Sequence, residues 1–367
     1  MKIGIDARLW NETGIGRYIR ALVSELFTLD QKNEYTLFLQ SADMEKVSIP
    51  KNRWNKIAAN IHWHTVSEQL QMPKIIDDQN LDLVHIPYFS VPVFLRTPFV
   101  VTVHDLTISR FPTGKATTLP LSAYYFKRLG YSFVLQQAIR KSKSIITVSE
   151  TVKKQILAQY DISPSKITVT YESGELKTSQ VHRLVASPKH YILYVGNAHP
   201  HKNLTRLLES FQSVMDSHRE LQLVLVGKRD YFYDRLEKEV ARKSLTNRVH
   251  FAGEVNDSQL NQYYQQADFF VFPSLSEGFG IPGLEAMWNR CPAAVSDISI
   301  FHEIYGDAAL YFDEKNPADM AAVFSKMLMD KNLTGNLIKN GLEKAHEYSW
   351  KKMAQETLAV YENCISL

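Results

Sequence analysis

Two carboxylates with seven residues between them, Glu277 and Glu285, bracket a glycine-rich turn in Ser274-Leu275-Ser276-Glu277-Gly278-Phe279-Gly280-Ile281-Pro282-Gly283-Leu284-Glu285. The preceding Asp268-Phe269-Phe270-Val271-Phe272-Pro273 reads as a buried strand, and Pro282 suits a first helical position. Backbone N–H groups of Gly278, Phe279, Gly280 and Ile281 would then gather at a helix N-terminus, a place that attracts anions. Glu285, one turn into that helix, can accept hydrogen bonds from a vicinal diol such as a ribose, while Glu277 enters from the loop before it. Such a cluster suits a phosphorylated sugar. The competing reading is a plain strand–turn–helix junction with a dipole-stabilising first-turn acid. A glycosidase pair is a third reading, but the carboxylate separation that would define it is not legible in sequence.

Three more places carry chemistry. In Asn11-Glu12-Thr13-Gly14-Ile15-Gly16-Arg17-Tyr18, Gly14 and Gly16 allow a backbone to approach a phosphate ahead of a helix expected over 19–27. The dinucleotide fingerprint lacks its third glycine, because position 19 is Ile, which disfavours a Rossmann reductase. His104-Asp105 directly follows an expected strand over 99–103 and so lies at a sheet edge where ligands collect, although many such residues only cap the next turn. After a further strand, Gly196-Asn197-Ala198-His199-Pro200-His201-Lys202-Asn203 places Lys202 at a helix N-terminus, suited to phosphate oxygens. His199 and His201 have no third ligand cluster beside them, so loop histidines are expected rather than a metal site. With no Asp-x-Asp pair in the chain, metal-independent chemistry is expected.

At 367 residues two domains are the default, and two cysteines, Cys291 and Cys364, make a disulfide framework unexpected. A strand-like Lys2-Ile3-Gly4-Ile5-Asp6 at the start leaves no room for a secretion signal, and no apolar run approaches the roughly 18 residues of a membrane span. A cytoplasmic chain is expected. Net charge is +3, but Lys and Arg exceed Asp and Glu by 23 to 16 over residues 1–185 and trail them by 19 to 23 thereafter. The basic half includes Tyr124-Tyr125-Phe126-Lys127-Arg128 and Arg140-Lys141-Ser142-Lys143, a mixture of rings and cations found in membrane-surface segments, against the plainer reading of a solvated helix face. Nucleic acid is not an expected partner, since the charge is modest and no recognised module is present.

Apolar strands alternate with amphipathic helices, the pattern of α/β domains with parallel sheets covered on both faces. Strands are expected over 2–5, 35–39, 83–86, 99–103, 144–148 and 167–169, then over 191–195, 221–226, 250–251, 269–272, 293–295 and 310–312. Between the sets a Ser-rich, charged stretch over 172–189 reads as a linker. Three terminal helices, over 317–328, 333–347 and 350–365, follow with no strand between them.

Thr13-Gly14-Ile15-Gly16-Arg17-Tyr18, Val103-His104-Asp105-Leu106, Thr147-Val148-Ser149-Glu150, Gly196-Asn197 with Lys202-Asn203, and above all the Glu277 to Glu285 spacing together resemble the retaining GT-B glycosyltransferases of group 1 over essentially the whole chain. Ser296-Asp297-Ile298, Glu303 and Gly306-Asp307-Ala308-Ala309 continue the pattern. The resemblance implies two doubly wound Rossmann-like domains: 1–172 on the acceptor side, a linker at 173–189, a nucleotide-sugar domain at 190–349, and a final helix near 350–367 returning to the first. It implies that Glu277 contacts the donor sugar, Glu285 the ribose diol, and the amides of Gly278, Phe279, Gly280 and Ile281 the sugar and diphosphate. Gly14 and Gly16 would approach the diphosphate, and His104, after the fourth expected strand, the sugar. The family usually has Arg at the position of Asn197, paired with the lysine found here as Lys202; that departure suggests a subgroup.

The Gly-Asn-x-x-Pro-His-Lys-Asn form is similar to bacterial mannosyltransferases that build O-antigen or exopolysaccharide from GDP-mannose. The implied reaction moves a hexose, with mannose favoured, to a glycan or polyprenyl-linked acceptor without a cofactor; the basic first half adds the expectation of peripheral contact with the inner membrane face. A UDP-sugar transferase, a GT-B epimerase or phosphorylase, and a non-catalytic sugar-nucleotide-binding subunit are the alternatives.

Overall fold

The computed structural model describes residues 1–50, 52–107, 121–176 and 187–366, with the side chains of 121–124 and 366 outside that description. Most of the expected linker, at 177–186, therefore lies outside the described residues. The chain divides into two compact units, Met1–Glu172 with Trp350–Leu367, and Ser173–Ser349.

In the first unit seven parallel strands run β3-β2-β1-β4-β5-β6-β7. They are β1 (Lys2–Asp6), β2 (Glu34–Leu39), β3 (Trp54–Ala58), β4 (Leu83–Ile86), β5 (Phe99–Val103), β6 (Ser144–Thr147) and β7 (Ile167–Val169). β4 and β5 are buried at every position, as strands covered on both faces must be. Helices α1 (Gly14–Leu29), α2 (Val66–Asp77), α3 (Leu121–Lys141), α4 (Glu150–Gln159) and, from the chain's far end, α12 (Trp350–Ser366) belong to this unit. β3 was not expected from sequence. It is an edge strand whose Asn55 and Lys56 break the apolar run, and Lys56 spends its ammonium on the carbonyls of Met44 and Val47. His104 consequently follows the fifth strand, not the fourth.

Where α12 meets the sheet, two buried hydroxyls satisfy a buried histidine and a third lies behind one of them. His85 Nδ1 lies 2.6 Å from Tyr361 Oη and His85 Nε2 lies 2.7 Å from Thr102 Oγ1, which is 3.3 Å from Tyr18 Oη. Burial pushes His85 down from 6.5 to about 3, and burial with the nearby positive charges of Lys127, His62 and Arg8 brings His64 down to about 4. Both groups are harder to protonate when folded, so the unfolded chain binds more protons below its ordinary value. Stability is therefore fully present above about pH 6.5 and lost as pH falls towards 4 and 3, by about 2 kcal/mol for each histidine at pH 5. Thermal melting should show a lower Tm at pH 5 than at pH 7, with His64→Gln shrinking the difference; equal Tm values would contradict this assignment.

The second unit holds six parallel strands in the order β10-β9-β8-β11-β12-β13. They are β8 (Tyr191–Val195), β9 (Gln222–Val226), β10 (Val249–Gly253), β11 (Phe269–Phe272), β12 (Ala293–Ser296) and β13 (Ala309–Phe312). Its helices are α5 (Leu204–Met215), α6 (Tyr231–Arg242), α7 (Asp257–Gln266), α8 (Ile281–Trp288), α9 (Ser299–Tyr305), α10 (Pro317–Met329) and α11 (Lys331–Ala345). The starts of α6 and α7 are set by short polar side chains: Asp230 accepts from the amides of Phe232 and Tyr233, and Asn256 forms a reciprocal box with Gln259.

Both sheets reverse their winding once. The reversal falls between β1 and β4 in the first unit and between β8 and β11 in the second. Connections leaving the C-terminal ends of two such strands diverge to opposite faces and open a crevice, the usual place for a ligand in this architecture.

Candidate active site

The second unit's crevice is built from the loops after β8 and β11. Asn203, in a left-handed conformation at φ 63° and buried, stitches them by donating from Nδ2 to the carbonyls of Pro273 at 3.0 Å and Glu314 at 2.7 Å. The amide of Leu275 donates to the carbonyl of His201 at 2.8 Å. Lys202 ends a one-turn helix, Pro200–Lys202, and its Nζ lies 2.6 Å from Glu277 Oε1 and 5.6 Å from the centre of the Phe272 ring. Two residues far apart in sequence thus form a largely enclosed ion pair, each side chain only 13% exposed. The lysine presents its charge beside the turn whose amides the sequence had singled out.

That turn is held from below by a residue the sequence reading missed. Gly280 has φ 106°, a left-handed conformation side chains avoid, and its carbonyl accepts 2.5 Å from Tyr305 Oη. A Cβ on Gly280 or Gly283 would fall 2.2 or 2.3 Å from that same hydroxyl oxygen. Burial, then the Glu277 carboxylate, push the Tyr305 phenol well up, which keeps it a donor. Tyr305 stands 25 residues from Gly280, at the end of α9, and nothing in local sequence signals the pairing.

α8 begins at Ile281, so Pro282 takes the second helical position rather than the first. Glu285 is 3% exposed, and its Oε2 accepts from Tyr264 Oη at 2.9 Å. The same hydroxyl also lies 3.2 Å from the Pro282 carbonyl, fixing the carboxylate to the first turn. The stretch at 172–176, expected as linker, is instead packed: a Cβ on Gly174 would lie 2.5 Å from the amide nitrogen of Glu285. Asn197 serves its own loop. Its Oδ1 accepts from the His199 amide at 3.2 Å, and its carbonyl accepts from Tyr194 Oη at 2.6 Å. His199 and His201 stack with ring centres 5.9 Å apart, burial lowers His199 below its usual value, and no group of three metal-capable side chains occurs among the described residues.

In the first unit, α1 begins at Gly14, five residues earlier than expected, so Gly14 and Gly16 belong to its first turn. Gly16 is required by close approach, since a Cβ there would lie 2.6 Å from the Trp10 carbonyl oxygen; above Gly14 there is open space within 4 Å. His104 is positioned by two oxygens and a ring. Nε2 lies 3.0 Å from the Pro87 carbonyl, Nδ1 lies 3.2 Å from Glu172 Oε1, and Tyr18 meets the imidazole edge-on at 4.9 Å. Glu172 is the second residue the sequence reading missed, having been counted into the linker. At the β1–β4 reversal, Arg8 forks onto Asp6 at 2.9 and 2.6 Å and reaches Glu68 at 2.7 Å, a buried network that fixes the loop leading to α1. The structure therefore gathers Lys202, Glu277, Glu285 and the turn at 278–281 in the second unit, and Gly14, Gly16 and His104 in the first.

Residues 178–344 match the family profile described as glycosyl transferases group 1, and residues 13–172 match that of glycosyltransferase family 4. The chain is 32% identical to the O-antigen chain mannosyltransferase RfbU of Salmonella typhimurium over 257 residues, covering 70% of this chain and 67% of that one. It is 27% identical to O-antigen chain mannosyltransferase B of Escherichia coli, covering 95% and 96% of the two chains. Among solved structures, a sucrose-phosphate synthase from Thermosynechococcus elongatus superposes with a TM-score of 0.79 at 18% identity, covering 100% of this chain and 99% of that one, which shows a shared fold. Two Rossmann-like α/β domains with a final helix in the first, as in GT-B proteins, and profile matches across both place the chain in the group 1 glycosyltransferases.

Proposed function

We propose that this glycosyltransferase is a retaining mannosyltransferase that uses GDP-mannose and builds surface polysaccharide on a glycan or polyprenyl-linked acceptor. The observation that carries the reading is the Lys202–Glu277 pair at 2.6 Å, set beside the amides that open α8. A departing diphosphate develops negative charge, and a fixed ammonium with oriented amides stabilises that charge without reorganising. The relatives named as O-antigen mannosyltransferases favour mannose as the sugar.

In this proposal Lys202 and the amides of Gly278, Phe279, Gly280 and Ile281 hold the diphosphate, Glu277 orients the sugar, and Glu285 accepts from the ribose hydroxyls. Gly14 and Gly16 approach the diphosphate and His104 the sugar from the first domain, while Asn197 shapes the loop before Lys202. The bond from C1 to the phosphate oxygen breaks with its electron pair staying on the diphosphate, giving GDP. The acceptor oxygen bonds C1 on the same face, and its proton passes to the departing phosphate. Positioning supplies most of the catalysis.

A panel of GDP- and UDP-sugars, incubated without acceptor and assayed for released nucleoside diphosphate, tests the donor. GDP-mannose should be consumed fastest. Preferential release of UDP would reject the GDP-mannose reading while leaving the family intact.

A further inference from the structure

The segment that opens the second unit, residues 173–176, is built against the first turn of α8. Ser173 and Gly174 are both buried. Ser173 Oγ donates to the Tyr348 carbonyl at 3.2 Å and accepts from the Glu175 amide at 3.2 Å, which tethers the segment. One residue on, Gly174 lies against the peptide that joins Leu284 to Glu285. A Cβ added there would fall 2.4 Å from the Leu284 carbonyl carbon, 2.5 Å from the Glu285 nitrogen and 2.5 Å from Leu284 Cβ. Two of these three atoms are backbone, which no rotamer change can move, so a side chain at 174 fits only by displacing α8 or the segment itself. Tyr348 extends the same support to the neighbouring turn: its ring meets Phe279 edge-on at 5.7 Å, and its hydroxyl donates to the Ile304 carbonyl at 3.0 Å, beside the Tyr305 that holds Gly280.

Glu285 is thereby held at both ends. Tyr264 Oη fixes its carboxylate at 2.9 Å, and Gly174 abuts its main chain. We propose that Gly174 is a positioning residue for nucleotide binding: by letting the segment at 173–176 close onto α8, it sets where the Glu285 carboxylate stands when it takes the ribose hydroxyls. The inference rests on the reading of Glu285 as the ribose acceptor and adds to it a residue 111 positions away in sequence, outside the strand–turn–helix segment. Geometry makes the position matter. Hydrogen bonds from hydroxyls to a carboxylate span only about 2.5–2.7 Å, and a vicinal diol has to make both at once. Ordinary contact between carbon atoms begins at about 3.5 Å, so alanine at 174 forces a movement of about 1 Å. A displacement of that size separates a carboxylate from one or both hydroxyls.

Calorimetric binding of GDP and of 2′,3′-dideoxy-GDP to the full chain tests the inference, with the uridine pair in their place if the donor panel selects UDP. The ratio of the two affinities reads the ribose contact, because general damage to the fold weakens both nucleotides together and leaves the ratio unchanged. The wild-type protein should prefer GDP about a hundredfold, as two hydrogen bonds to a charged acceptor would give, and Glu285→Ala should abolish the preference. Gly174→Ala should cut the preference to about fivefold or less through the displaced carboxylate. Ser173→Ala, which loosens the segment without adding an atom, should reduce it about threefold, the size of one lost hydrogen bond. An undiminished preference in Gly174→Ala, or in Ser173→Ala if Gly174→Ala does not fold, would overturn the inference while Glu285→Ala still upholds the ribose reading. No preference in the wild-type protein, or a preference that survives Glu285→Ala, would remove the ribose reading and the inference with it.

Discussion

Replacing Lys202 with Ala should lower kcat/KM for the nucleotide sugar by about a hundredfold, close to 2.7 kcal/mol of transition-state stabilisation. Two effects add. A unit charge at contact is worth about 1 kcal/mol in water and about 4 at an effective dielectric near 20, and the largely enclosed Lys202 lies between these limits. Its removal also leaves Glu277, 2.6 Å away in the intact protein, as an uncompensated carboxylate beside an incoming diphosphate. Asn197, on the same loop, is uncharged and its Oδ1 accepts from the His199 amide, so it does not substitute for the lysine's charge. The change should therefore exceed what one of two redundant cations would give. Steady-state kinetics decide it: a near-normal kcat/KM in Lys202→Ala would mean another cation holds the diphosphate.

Gly280→Ala should be nearly as damaging by a different route. A left-handed residue with a side chain is strained by about 1–3 kcal/mol, and here the new methyl would also meet Tyr305 Oη at 2.2 Å. Either the turn or the tyrosine has to move, and the turn is what presents the anion-binding amides. Donor affinity should fall about tenfold to a hundredfold, with a smaller drop in Tm, because the strain is relieved by displacing the loop. Adding Tyr305→Phe removes the colliding oxygen but not the backbone strain, so the double variant should recover part of the loss. Additive losses in the two variants would show that Tyr305 and Gly280 do not act as a unit.

The second unit's candidate site was legible in outline because the residues proposed for it are local in sequence. Glu277, the glycines and Glu285 lie in one strand–turn–helix segment, and Lys202 at the start of another, so spacing alone placed them at strand ends. What sequence concealed is what depends on distant pairing. Tyr305 beneath Gly280, Tyr264 on Glu285, and Glu172 on His104 are partners brought together by the sheet order, and a lone tyrosine or a glutamate in a polar stretch carries no mark of it. β3 escaped notice because an edge strand of Trp54-Asn55-Lys56-Ile57-Ala58 lacks the apolar run that betrays an inner one. The first turn of α1 was read as loop because glycine is a poor helix former, yet at Gly16 the close Trp10 carbonyl outweighs propensity.

The central claim is same-face transfer of mannose from GDP-mannose, and proton NMR of the anomeric position in the first product formed tests it most directly. GDP-mannose carries an α-linked sugar, so the account predicts an α-mannosyl product from the wild-type protein and markedly slower formation of the same product by Lys202→Ala. A β-mannosyl product, or no transfer from GDP-mannose while another nucleotide sugar is turned over, would contradict it.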